Sequence, residues 1–224
     1  MRLLVSLLSL WLLTGCSGAP GAEPRILAIG DSVLAFHKPL GGSVPDVVAS
    51  RLGQRVENRA VSGARISNSL SPDPARQYDI RQQYRPGTWD WVIFNGGAND
   101  LLWECGCNRC DATLDGMISD DGRRGDIPAL LGPIAKAGTR IAVLGYYDGN
   151  ALPNAFSGCE VSIDRLNARL ANMAAKDSNM IYVDAGVAMD PADPGLWFVD
   201  RVHPSRRGAR AIGEVLARAI ARAP

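Results

Sequence analysis

A serine hydroxyl becomes a competent nucleophile only when a base takes its proton, and this chain holds two histidines, His37 and His203. Asp200 stands three residues before His203, close enough for its carboxylate to accept a hydrogen bond from Nδ1 and leave Nε2 facing a nucleophile. His37 has no such partner and reads as a loop histidine at the entrance to a site. The serine within reach of this scheme is Ser32, in Gly30-Asp31-Ser32. Between the two ends lie Gly63, in Val61-Ser62-Gly63-Ala64, and the segment Gly97-Ala98-Asn99-Asp100. Attack on an ester carbonyl places negative charge on its oxygen, which preorganised donors must meet. The backbone N–H of Ser32, the N–H of Gly63 and the side-chain amide of Asn99 supply three, and a glycine lets the backbone approach a substrate without a Cβ. The chemistry is hydrolysis of acyl esters. No Gly-rich phosphate loop or paired-His metal motif is present, so it is expected to need neither cofactor nor metal.

Such residues must be held by a scaffold, and the apolar pattern describes one. Arg25 to Gly30 is a short apolar run closed by glycine, the signature of a strand buried on both faces of a parallel sheet. Arg55 to Val61, Trp89 to Phe94, Arg140 to Leu144 and Met180 to Val183 repeat it, which predicts five strands. Ser162 is expected to cap a helix that carries Ile163, Leu166, Leu170 and Met173 on one face. Ile212, Val215, Leu216, Ala219 and Ile220 form the stripe of a last helix, with Arg210, Arg218 and Arg222 on its solvated side. Val44 to Leu52 and Asp126 to Ala137 are further helices, the second with Pro128 suited to its first turn and Pro133 expected to kink its middle. Strand and helix alternate, giving one α/β domain with right-handed crossovers. In a doubly wound sheet of order 2-1-3-4-5 the first and third strands flank the point where ligands bind. Ser32, Gly63, Asn99 and His203 then all fall beyond the carboxyl ends of strands.

Taken in order, these blocks resemble the SGNH or GDSL hydrolases. Gly30-Asp31-Ser32 matches the first block, Gly63 the second, Gly97-Ala98-Asn99-Asp100 the Gly-x-Asn-Asp block, and Asp200-Arg201-Val202-His203 the Asp-x-x-His block. The likeness runs from about Arg25 to the C-terminus, with Val33 where the name-giving pattern has Leu. It implies a flavodoxin-like, three-layer fold with a five-stranded parallel sheet. It also implies a catalytic triad of Ser32, Asp200 and His203, an oxyanion hole of Ser32, Gly63 and Asn99, and activity on ester, thioester or lysophospholipid substrates. Asp31 and Asp100 read as braces for their loops. No Gly-x-Ser-x-Gly nucleophile elbow is present.

The chain has 224 residues, 46% of them hydrophobic, and a formal net charge of +1. That suffices for one sizeable core and gives no field to steer nucleic acid. Residues 1–15 read as a secretory signal, Arg2 followed by an apolar run from Leu3 to Leu13 too short to span a bilayer comfortably. Leu13-Thr14-Gly15-Cys16 resembles the lipobox of bacterial lipoproteins, in which Cys16 would carry the lipid anchor; an ordinary signal peptide with an incidental cysteine is the alternative. Ser17 after that cysteine implies the periplasmic side of the outer membrane, and residues 16–24 read as a tether to a domain over 25–224.

Export leaves Cys105, Cys107, Cys110 and Cys159 in an oxidising compartment, where two disulfides are expected. A Cys105–Cys107 bridge would close a very tight ring, so Cys159 is expected to pair with Cys105 or Cys107. A zinc site on the four sulfurs is the competing reading.

Substrate choice belongs to the loops. Leu101 to Asp111, with three cysteines, is expected to form one wall of the site and Gly145 to Asn150 the opposite one, with Trp103, Trp197 and Phe198 as further apolar candidates. A deep apolar tunnel would suit a lipase, lysophospholipase or thioesterase; a shallow polar groove would suit de-acetylation of a carbohydrate or cell-wall polymer. A lipoprotein binding module with idle site residues is the non-enzymatic alternative. A histidine base must be neutral to act, so activity is expected to rise through the mildly acidic range.

Overall fold

The computed structural model describes residues 23, 25–66 and 78–223. The expected signal peptide and, apart from Glu23, the tether lie outside them. The element order is β1 (Ile26–Ile29), α1 (Ser32–Ala35), α2 (Val44–Leu52), β2 (Val56–Asn58), α3 (Ile80–Gln83), β3 (Trp91–Phe94), α4 (Ala98–Cys105), α5 (Asp111–Met117), α6 (Asp126–Lys136), β4 (Arg140–Leu144), α7 (Glu160–Ala174), β5 (Met180–Val183) and α8 (Arg206–Arg222).

The five strands pair in parallel in the order β2-β1-β3-β4-β5. Ile29 lies beside Phe94 and Phe94 beside Val143, so the carboxyl ends of the three central strands come level. β1 and β3 are buried along their whole length, as apolar runs covered on both faces must be, whereas β2 at the sheet edge is half-buried. The run expected to extend to Val61 has three ladder residues and stays bonded beside β1 beyond them, Arg59 N–H to the Ala28 carbonyl and Val61 N–H to the Gly30 carbonyl, before it turns at Gly63.

On one face α2 packs against α8. α2 begins on a capping box, Ser43 with Asp46, carries Pro45 in its first turn and stops at Gly53. α8 buries Ile212, Leu216 and Ile220, the predicted stripe. On the other face α6 and α7 make the crossovers from β3 to β4 and from β4 to β5. α6 continues through Pro133, with Ala137 N–H bonded to the Pro133 carbonyl.

Two expectations need correction. Ser162 does not cap α7: it is buried inside the helix, which starts two residues earlier with Cys159 at the cap position. Cys159 is covalently held there by Cys107, and its carbonyl already accepts from Ile163 N–H at 2.9 Å. The segment after Asn99 is largely helical, because Ala98, Asn99, Asp100 and Leu101 are all buried in the first turn of α4. The remaining disulfide joins Cys105 to Cys110, so the four sulfurs bond in two pairs and do not converge on one point as a zinc site requires.

Candidate active site

Ser32 sits at the first position of α1, directly after the carboxyl end of β1. Gly30 makes that turn possible, since a Cβ there would collide with the backbone carbonyl oxygen of Asn95 at the end of β3. The Gln83 side chain holds Gly30 from both sides, accepting from its N–H at 2.7 Å and donating to its carbonyl at 3.0 Å. Asp31 caps α1, its Oδ1 accepting from Val33 N–H at 3.0 Å and its Oδ2 from the Tyr146 hydroxyl at 2.6 Å.

Burial raises the Asp31 carboxyl to about 6, against hydrogen bonds from Tyr146 and Val33 and the charge of His203. A carboxyl whose proton binds more tightly in the folded state stabilises the fold relative to neutral pH below its unfolded value, and that stability is lost as pH rises through the folded value. From 3.8 to about 6 is the window. The stability of the native protein minus that of Asp31→Asn is therefore expected to fall by about 2 kcal/mol between pH 4 and pH 7. Urea unfolding of both proteins at the two pH values checks it, and a difference independent of pH would refute it.

Asn99 is the second residue of α4 and 7% exposed; its Nδ2 donates to the Ala64 carbonyl at 3.0 Å, which leaves a second amide hydrogen for another acceptor. Asp100 accepts from Ile66 N–H with both oxygens at 3.1 Å. The turn that contains Gly63 is thus clamped to α4 at two points. Gly63 itself is exposed, with φ of 80° and open space where a Cβ would stand. Its backbone conformation, rather than crowding within the protein, is the local reason for glycine.

His203 lies in the segment between β5 and α8. Its Nδ1 is 2.7 Å from Asp200 Oδ2, while Asp200 Oδ1 accepts from the N–H groups of Val202 and His203 at 3.0 Å each. Partial burial pushes the Asp200 carboxyl up, but these three hydrogen bonds and the charge of His203 outweigh it and hold the group below its ordinary value. Asp200 therefore stays ionised wherever an imidazole could act as a base. Nδ1–H donates to it, and Nε2 is left for the cavity. The surrounding chain is pinned from three directions. Tyr147 donates to the Val202 carbonyl at 2.9 Å, Phe198 N–H to that of His203 at 2.8 Å, and His37 Nε2 to that of Pro204 at 3.1 Å. The Phe36 ring stacks on the His203 ring, centroids 4.3 Å apart and nearly parallel.

Ser32, Asn99 and His203 line one cavity, closed by Val33, Tyr147, Phe156 and Ile163 among others. Its volume is about 40 Å³. Among the described residues no hydrogen bond joins Ser32 Oγ to His203; such bonds are commonly long in unliganded sites and shorten in the Michaelis complex. Gly63 is not in the cavity wall, although its neighbour Ala64 is bonded to Asn99. The expected wall over 145–150 is present through Tyr146, Tyr147, Asp148 and Gly149, but the one over 101–111 is not. Its place is taken by Phe156 and Glu160, next to Cys159, so the cysteine-rich segment reaches the cavity only through the Cys107–Cys159 bond. Trp103 is 68% exposed and away from the cavity; Trp197 packs edge-on against Tyr147, and Phe198 against Phe36. His37 holds the histidine segment in place of lining an entrance. Gln83 and Phe36 escaped sequence reasoning because no local pattern distinguishes them from ordinary core residues; Tyr146 is expected in a wall of the site, but not as the partner of Asp31.

A model of the GDSL-like lipase/acylhydrolase family matches residues 28–211. Among solved structures the chain is similar to a carbohydrate acetylesterase from Sinorhizobium meliloti, at 16% identity and a TM-score of 0.60, over 89% of this chain and 99% of that one. It is similar to the inhibitor-bound aryl esterase of M. smegmatis, at 20% identity and 0.61, over 90% of this chain and 100% of that one. It also resembles a carbohydrate esterase family 2 enzyme with a carbohydrate binding domain from Corynascus thermopiles, at 20% identity and 0.61, over 92% of this chain and 68% of that one. At these identities the likeness is one of fold. A search of curated proteins finds no match.

Proposed function

The chain belongs to the GDSL-like lipase/acylhydrolase family, and from that membership we propose that it hydrolyses short-chain acyl esters with Ser32 as nucleophile, His203 as base and Asp200 as its orienting acid. The N–H of Ser32 and the Asn99 amide meet the oxyanion, and the family pattern assigns the third donor to Gly63, which lies outside the cavity wall. Ser32 attacks the carbonyl carbon while its proton passes to His203 Nε2; the imidazolium, stabilised by Asp200, then protonates the departing alcohol. Water repeats the sequence on the acyl-enzyme and releases the acid.

The observation that carries the choice of substrate is the size of the cavity. Water needs roughly 10–15 Å³ on the same scale, so about 40 Å³ suits a short acyl group better than a long chain held within the cavity. That favours short-chain acyl esters over lipase or lysophospholipase substrates; the mostly apolar lining gives no specific support for a carbohydrate ester.

The proposal extends to a lipid anchor at Cys16, which would hold the domain at the periplasmic face of the outer membrane.

One preparation tests both parts. The chain from Met1, expressed in a Gram-negative host, is expected in the outer-membrane fraction, and the domain from Arg25 behind a cleavable non-lipoprotein export signal in the soluble fraction. On p-nitrophenyl esters from acetyl to palmitoyl, the rate is expected to fall by at least tenfold beyond butyryl. A preference for octanoyl or longer would remove the short-acyl reading, and solubility of the chain from Met1 would remove the anchor.

A further inference from the structure

We propose that Tyr146 is the positioning residue that holds the nucleophile loop and the Asn99 loop at their working separation, its hydroxyl donating to Asp31 Oδ2 at 2.6 Å and accepting from Ala98 N–H at 3.2 Å. Asp31 immediately precedes Ser32, and Ala98 immediately precedes Asn99. The chain segments that follow β1, β3 and β4 thus meet at one phenolic oxygen.

The hydroxyl is placed to impose this spacing rather than to follow it. Tyr146 is 6% exposed. Its own N–H and carbonyl are gripped by the Asn167 side chain of α7, at 2.8 and 2.9 Å. On the far side, α4 begins at Gly97, which has no side chain to cap it, so the first amide of that helix finds its acceptor in Tyr146. Phenylalanine would fill the same space. It would leave a buried carboxylate oxygen and a buried N–H without this partner.

The kinetic test rests on the esterase reading. For Tyr146→Phe on p-nitrophenyl acetate, kcat is expected to fall roughly 30- to 100-fold with KM within about threefold, since a displacement near 1 Å of a positioned group costs on that order. Native kcat or a loss confined to KM in Tyr146→Phe would each overturn the proposal. Should that variant fail to fold, Asp31→Asn, which alters one arm of the bridge and keeps the ring, should still lose kcat with KM retained; full activity there would overturn it. If the native protein proves inactive on every ester, the esterase reading fails, and crystal structures decide this one separately. The separation of Ser32 Oγ from Asn99 Nδ2 should change by about 0.5 Å or more in Tyr146→Phe, and an unchanged separation refutes the proposal.

Discussion

Ser32→Ala and His203→Ala are each expected to lower kcat on p-nitrophenyl acetate by on the order of 10⁴- to 10⁶-fold, and the double variant to fall no more than about threefold further. The two side chains act as one device. A serine without its base keeps a proton that no nearby group accepts, and a base without its serine has nothing to activate. Asp200→Asn should cost less than either. The Asp200 side chain is 38% exposed, so water can take over part of the task of orienting Nδ1. Initial rates on variants with native circular dichroism provide the comparison. His203→Ala retaining a tenth of native turnover would remove His203 from the mechanism, and an additive double variant would mean that the residues act in separate steps.

Asn99→Ala is expected to reduce kcat by about 100- to 1,000-fold with little change in KM, the loss typical of one oxyanion donor. The geometry makes the expectation specific. One amide hydrogen of Asn99 is spent on the Ala64 carbonyl, which fixes the direction of the other. The fold should survive, because the variant loses a single hydrogen bond of about 0.5–1.5 kcal/mol, a fall in Tm of a few degrees for a domain of this size. Thermal unfolding followed beside steady-state kinetics separates the two effects. A variant that lost its activity through KM alone would show that Asn99 binds the ground state rather than the developing charge.

Much of the scaffold was legible because its signals are local. The apolar runs of β1, β3 and β4 follow from burial on both faces, the bounds of α2 from a capping box at one end and a glycine at the other, and α8 from a stripe of 3.6-residue period. Local rules also failed where covalent or tertiary partners intervened. Ser162 has the chemistry of a helix cap, yet α7 starts earlier because Cys159 is tied to a residue 52 positions away. The walls of the cavity were half legible: Tyr146 and Tyr147 follow a strand end, whereas Phe156 and Glu160 carry no mark that brings them to Ser32.

The residue types and order of the candidate site, and the expectation that Ser32, Gly63, Asn99 and His203 fall beyond strand ends, come from the chain alone, because strand periodicity and the turns that end strands are properties of neighbouring residues. Which cysteines pair, how small the cavity is, and which side chains hold the site together depended on the packed structure. Gln83 reaches Gly30 across 53 residues and Tyr146 reaches Asp31 across 115. Contacts of that kind exist only after the sheet has brought separate loops together, and their distances are set by packing that no local pattern encodes.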